Sequence, residues 1–164
     1  MVPPPVPARS QELRPQARSG ADSRRFVVAA GVGWPDLFAM DLRYRVAPQV
    51  GFGVSLGLAS SPTGALAPFS SYQALPTANL RYYTSRHPSS AFLQLGVGSQ
   101  VAGIFGGTGL VALPLLMVSY GYEWRLAGGL TASVDGGAAF NFSQNGGSTS
   151  PALRIALRFG YAAP

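Results

Sequence analysis

Nine charged side chains stand at alternate positions in otherwise apolar segments: Asp41, Arg43, Arg45, Arg81, Glu123, Arg125, Asp135, Arg154 and Arg158. Residues of these types could serve acid–base chemistry, hold an anion, or neutralise one another away from water. The single histidine, His87, lies in "SRHPSS" beside Ser89 and Ser90. A Ser–His pair suits acyl transfer when a carboxylate orients the imidazole. No carboxylate lies nearby in sequence, and Pro and Ser are what a tight turn needs, so His87 reads as a turn residue. "GIFGGTG" carries glycines but no Lys and no following helix, which removes the phosphate-loop reading. "NFS" at Asn141 matches a glycosylation sequon only formally. With no cysteine and no cluster at metal-ligand spacing, no metal or other cofactor is expected.

The elements that must position the charged set are strands. In "LLMVSYGYEWRL", Leu116, Val118, Tyr120, Tyr122, Trp124 and Leu126 share one face, and Met117, Ser119, Gly121, Glu123 and Arg125 share the other. That period of two recurs eight times from Arg24 onward. The segments are "RRFVVAAGVGW", "LFAMDLRYRV", "GFGVSLGLA", "TANLRYYTS", "AFLQLGVGSQV", the stretch above, "LTASVDGGAAFNF" and "LRIALRFGY". Each sets large apolar residues against glycine, small or charged ones, and all nine charged residues fall on the second face.

Composition separates two barrels that this pattern would permit. Of the 164 residues, 47% are hydrophobic and only 11% charged, and no lysine occurs. A soluble surface is normally covered with mixed charges. A wall of Gly, Ala and Ser would be poorly solvated, whereas small residues suit the narrow interior of eight strands. The apolar set is therefore expected to face lipid and the small and charged set to face the lumen. The connections agree. "APQ", "RHPSS" and "AGG" are short, while "SSPTGALAPFSSYQAL", "AGIFGGTGLVALP" and "SQNGGSTSP" are longer, the asymmetry of a membrane barrel with its short turns in the periplasm. Aromatics gather near the strand ends: Tyr44, Phe52, Tyr82, Phe92, Trp124, Phe159 and Tyr161 at the short-turn rim, and Trp34, Phe38, Phe140 and Phe142 at the other. Two such girdles mark the two membrane interfaces.

The predicted fold is all-β: an eight-stranded antiparallel up-and-down transmembrane β-barrel over residues 24–161. Residues 1–23, rich in Pro and Arg, form a predicted disordered periplasmic arm. No segment reads as a signal peptide, since Met1 is followed by "VPPPVPARS", and the expectation is a mature chain whose leader has been removed. The net charge of +6 does not point to nucleic acid, because no basic run is interleaved with stacking aromatics.

On these segments the chain resembles the small eight-stranded outer-membrane barrels of the OmpA and OmpX type. Proteins of that kind close with a signal read by the barrel-assembly machinery, and Arg154, Ala156, Phe159 and Tyr161 occupy its places, with Ala156 where glycine is usual and "AAP" beyond the aromatic end. The resemblance implies a bacterial outer-membrane location and membrane lipid as the surrounding medium. Lipid-modifying hydrolases share this architecture but carry their site on the outer wall, where no His or acid occurs here, so no catalytic residue is expected. The nine lumen charges, aided by Asn79, Gln94 and Tyr83, are expected to form an ion-pair network closing the lumen. Function is expected to be structural anchoring or interaction with a periplasmic or membrane protein through residues 1–23 or the loops. The alternative is a barrel that binds or transports a small molecule or lipid, or a soluble lipocalin-like carrier.

Overall fold

Alternation of large apolar with small or polar residues makes each segment a two-faced strand, and strands of this kind leave no edge only by closing on themselves. The computed structural model describes residues 25–34, 36–60, 71–104, 110–142 and 151–163. It contains strands β1 (Phe26–Trp34), β2 (Asp36–Ala47), β3 (Val50–Ser60), β4 (Ser71–Tyr83), β5 (Ser90–Ile104), β6 (Leu110–Arg125), β7 (Leu130–Asn141) and β8 (Ala152–Ala163). They pair in chain order, each antiparallel to the next, and β1 pairs with β8 to complete a closed barrel. The N-terminal arm lies outside the described residues.

The stagger follows from the ladders. Stepping from Phe26 through Tyr44, Phe52, Leu80, Leu95, Val118 and Ala138 leads to Leu153 on β8. Phe26 itself pairs with Ala163, ten residues further along that strand. A displacement of this size around eight strands tilts them by roughly 40° and leaves an interior that side chains alone can fill.

The large apolar residues point out. Met40, Leu42, Val54, Leu56, Leu95 and Ile155 are all exposed on the outer wall, while the small and charged set is buried inside. That distribution is the reverse of a lipocalin's, so the soluble-carrier expectation is set aside.

Three short connections share one rim: Pro48–Gln49, the bend Thr84–Ser89, and Leu126 with a 3-10 turn at Ala127–Gly129. In that last turn Gly128 and Gly129 have φ of 74° and 93°, a backbone region open to glycine at little cost. Both ends of the barrel, Phe26 and Ala163, meet at this rim as well.

Several strands run further than the alternation indicates. β4 begins at Ser71 rather than Thr77, β5 continues to Ile104, and β6 begins at Leu110. The wall over β4–β6 therefore stands taller, at 13, 15 and 16 residues, where about 9–11 suffice to cross a bilayer. Both Pro76 and Pro114 lie within these extensions. The β4–β5 ladder omits Leu75 and Pro76, and Pro114 turns its carbonyl to the Phe142 N–H just beyond the last residue of β7, so neither proline interrupts a required donor. β8 likewise runs past Tyr161: Ala162 and Ala163 pair with Val27 and Phe26, so they complete the wall rather than trail from it.

Candidate functional site: the barrel lumen

Glu123 lies on the inward face of β6 and is fully buried. Four guanidiniums converge on its carboxylate. Arg43 donates to Oε2 from β2, on the opposite wall. Arg45 Nη2 donates to Oε1 at 3.2 Å and Arg81 Nη1 to Oε2 at 3.3 Å. Arg125 Nε lies 3.5 Å from Oε1, and the Tyr83 hydroxyl donates to Oε2 at 3.3 Å.

The network continues through neutral groups. Arg81 Nε and Nη2 both donate to Gln94 Oε1, at 2.9 and 2.5 Å. Gln94 in turn donates to Asn79 Oδ1 at 3.1 Å, and Asn79 donates to Ser55 Oγ at 3.0 Å. Ser55 and Thr77 share a hydroxyl contact of 2.5 Å. Two cations are also faced by rings: the Arg45 guanidinium carbon lies 3.6 Å from the centre of Tyr83, and that of Arg81 lies 3.9 Å from the centre of Phe92.

A second group forms around Arg158, which bonds Asp135 on the neighbouring strand and reaches Asp41 Oδ2 at 2.7 Å. Asp135 stands across from Ala156 in the ladder, and it bonds the next inward residue of that strand, Arg158. Arg154 is buried on the same face of β8. Toward the long-loop rim the filling turns apolar, with Ala59, Leu75, Leu115, Met117 and Ala139 in contact.

The glycines of the inner face have a specific reason to be there. A Cβ on Gly53 would lie 2.8 Å from Arg43 Cγ, and one on Gly121 would lie 2.7 Å from both Asp135 Cβ and Phe92 Cζ. On Gly31 it would meet Arg158 Cγ at 2.7 Å. The room these residues give up is occupied by the stems of the charged side chains on adjacent strands, which sit too close for any larger neighbour.

Phe92 corrects one expectation. Its place is inside the lumen, fully buried and edge-on to Tyr83 at 6.1 Å, not in the outer girdle. It sits one residue before outward-facing Leu93, so strand parity alone assigns it inward. Tyr44, Phe52, Tyr82, Trp124, Phe159, Tyr161 and Trp34 are exposed on the outer wall, and Phe140 is half-buried there. Tyr44 and Phe52 stand opposite each other on β2 and β3 near the short-turn rim. Of the four terminal residues singled out in β8, Phe159 and Tyr161 point out whereas Arg154 and Ala156 point in.

Two contacts had no signal in the sequence. The bend after β4 tucks toward the lumen mouth, where the Pro88 carbonyl accepts from Arg45 Nη2 at 3.4 Å and Ser89 Oγ accepts from the Arg125 backbone N–H at 2.8 Å. His87, in the same bend, is exposed and its Nδ1 lies against the backbone of Ser89. Neither it nor Ser89 contacts a carboxylate among the described residues. No group of three or more His, Cys, Asp or Glu comes together there either.

Compared with solved structures, the model matches the N-terminal β-barrel domain of Pseudomonas aeruginosa OprF, with a TM-score of 0.63 at 13% identity over 84% of this chain and 97% of that one. The chain has the OmpA-like barrel fold. A de novo designed protein, TMB2.3, also aligns with this OmpA-like barrel, with a TM-score of 0.41 at 13% identity, covering 85% and 92% of the two chains. No family model and no curated protein matches the sequence.

Proposed function

We propose that this chain is a non-enzymatic outer-membrane barrel that serves as an anchor or interaction subunit, its lumen closed by the arginine–carboxylate network. The observation that carries the reading is the contact between Arg43 and Glu123, which joins opposite walls across the lumen. With Arg45, Arg81 and Tyr83 packed on the same carboxylate, the interior holds side chains where a conducting barrel holds water. The exposed apolar wall suits lipid, and its aromatic ends suit the two interfaces. Interaction then falls to residues 1–23, which precede β1 at the short-turn rim, and to the connections between strands.

The test combines location, conductance and partner capture. The full chain should fractionate with the outer membrane and run as a faster, heat-sensitive band on unboiled gels. Reconstituted in planar bilayers, it should give no sustained open current. Deleting residues 1–23 should leave the band unchanged and remove co-purifying protein. A steady conductance, or a partner set indifferent to the deletion, would direct the reading to transport or to the loops.

A further inference from the structure

Charge outside the lumen is divided unevenly between the two rims. On the long-loop side, residues 61–70, 105–109 and 143–150 contain no Asp, Glu, Arg or His. Asp36, where β2 begins, is the single charged residue in the sequence of that rim. The short-turn side holds the reverse. Residues 1–25, which lead into β1 there, carry five arginines against two acids, Glu12 and Asp22. The bend Thr84–Ser89 adds Arg86 and His87. Arg25 and Arg86 are both exposed. Asp41, Glu123 and Asp135 are buried in the lumen, so no carboxylate among the described residues is exposed at this rim.

Backbone contacts hold these two arginines beside the aromatic girdle. The Arg25 carbonyl accepts from the Arg45 N–H at 2.8 Å, one step beyond the pair of Phe26 and Tyr44, whose rings are exposed on the outer wall. In the bend, Ser89 Oγ accepts from the Arg125 backbone N–H at 2.8 Å, which fastens the segment carrying Arg86 next to Trp124 on β6. Rings of this kind settle at headgroup depth in a bilayer. A guanidinium on a long stem beside them comes within reach of lipid phosphates.

We propose that the short-turn rim is a binding surface for anionic phospholipid headgroups, held by Arg25 and Arg86, with the arginines of residues 1–24 adding to the attraction. The proposal rests on the membrane reading above and goes further, naming the lipid class and the leaflet. Nucleic acid and acidic proteins also answer to positive charge, but the exposed rings beside Arg25 and Arg86 suit lipid. The far rim has no arginine in its sequence and no such preference, so the two ends of the barrel select different lipid neighbours.

The two tryptophans report on the two rims separately, Trp34 on the long-loop side and Trp124 on the short-turn side. Trp34→Phe and Trp124→Phe are refolded into vesicles of phosphatidylcholine mixed with phosphatidylglycerol, with bromine on the acyl chains of one lipid at a time. In Trp34→Phe, brominated phosphatidylglycerol should quench Trp124 roughly two- to fivefold more effectively than brominated phosphatidylcholine at equal mole fraction. High salt should remove the difference. Arg86→Gln should reduce it most, being fastened beside the reporter, and Arg25→Gln should reduce it further. In Trp124→Phe, the two lipids should quench Trp34 equally. Equal quenching of Trp124 in a chain that shows the heat-sensitive band would overturn the proposal alone and assign the charge to a soluble acidic partner. An equal preference at Trp34, or a preference undiminished when Arg25 and Arg86 are both replaced, would also overturn it. No folded band in vesicles of either lipid would remove the membrane reading and this proposal with it. If Trp34→Phe does not fold, the unaltered chain decides: its urea midpoint should rise with phosphatidylglycerol content, and the rise should vanish when Arg25 and Arg86 are replaced by Gln.

Discussion

Arg43 and Glu123 bond to each other from β2 and β6, strands half a circuit apart in the barrel. The pair is a strut across the lumen, and it couples walls that share no backbone hydrogen bond. Its partners are 80 residues apart in the chain, so bringing them together carries the closure cost of a long loop.

Glu123→Gln should therefore be among the most damaging single changes inside the barrel. It leaves four buried guanidiniums without their shared carboxylate, a loss that costs about 3–5 kcal/mol when a buried ion pair is broken on one side. The urea midpoint of the refolded protein, read on unboiled gels, should fall accordingly. An unchanged midpoint would mean that the arginines reach water without it.

Arg158 offers a cleaner separation of pairing from packing. Arg158→Met should destabilise strongly, because Asp41 and Asp135 lose the guanidinium they share. Adding Asp41→Asn and Asp135→Asn should restore most of the loss. A thermodynamic cycle over these variants should give coupling of about 0.5–3 kcal/mol, whereas simple additivity would show that the three residues act independently.

Glycine positions should divide into two classes. Gly121→Ala places a methyl against Asp135 and Phe92 and should cost about 1–3 kcal/mol by overpacking. Gly128→Ala meets no atom within 4 Å, so its penalty comes from the positive φ alone, about 1 kcal/mol. Unfolding in lipid vesicles should rank them in that order.

The outer wall should respond by depth. Leu42 and Val54 pair mid-strand and face outward, so Val54→Arg should cost about 2–4 kcal/mol in a bilayer. Trp34→Arg, at the end of β1, should cost roughly 0–1 kcal/mol. Equal penalties at the two sites would exclude a membrane around this wall.

Phe159→Ala and Tyr161→Ala should slow insertion in cells more than they slow unassisted refolding. Both rings are exposed on the last strand, where the assembly machinery would read them. Equal losses in the two assays would assign the rings to wall packing alone.

The alternation of residues made the eight strands and their facing legible, because a period of two needs only local information. The nine charged residues could be placed inside on the same ground. Which acid meets which arginine could not be read, since that depends on stagger: Asp135 pairs with Arg158 diagonally, and Glu123 finds Arg43 across the lumen. The extra height of β4–β6 was not legible, because the residues before Thr77 and around Leu110 were read as loop, and Pro76 and Pro114 fit the strands only where the neighbouring ladders leave gaps. The inward place of Phe92 was legible from parity; its size and position near a strand end had suggested the girdle instead.

Closure joins Phe26 to Ala163, almost the whole described chain apart. The loop this ladder seals is the longest the barrel contains, and its entropy must be met before any lumen contact between distant strands repays it. Until the last strand arrives, β1 and β7 both present open edges with apolar faces, the condition under which strands recruit foreign partners. The chain gains from a surface that shelters those edges while it waits, so on the proposed reading folding and membrane insertion form one event rather than two.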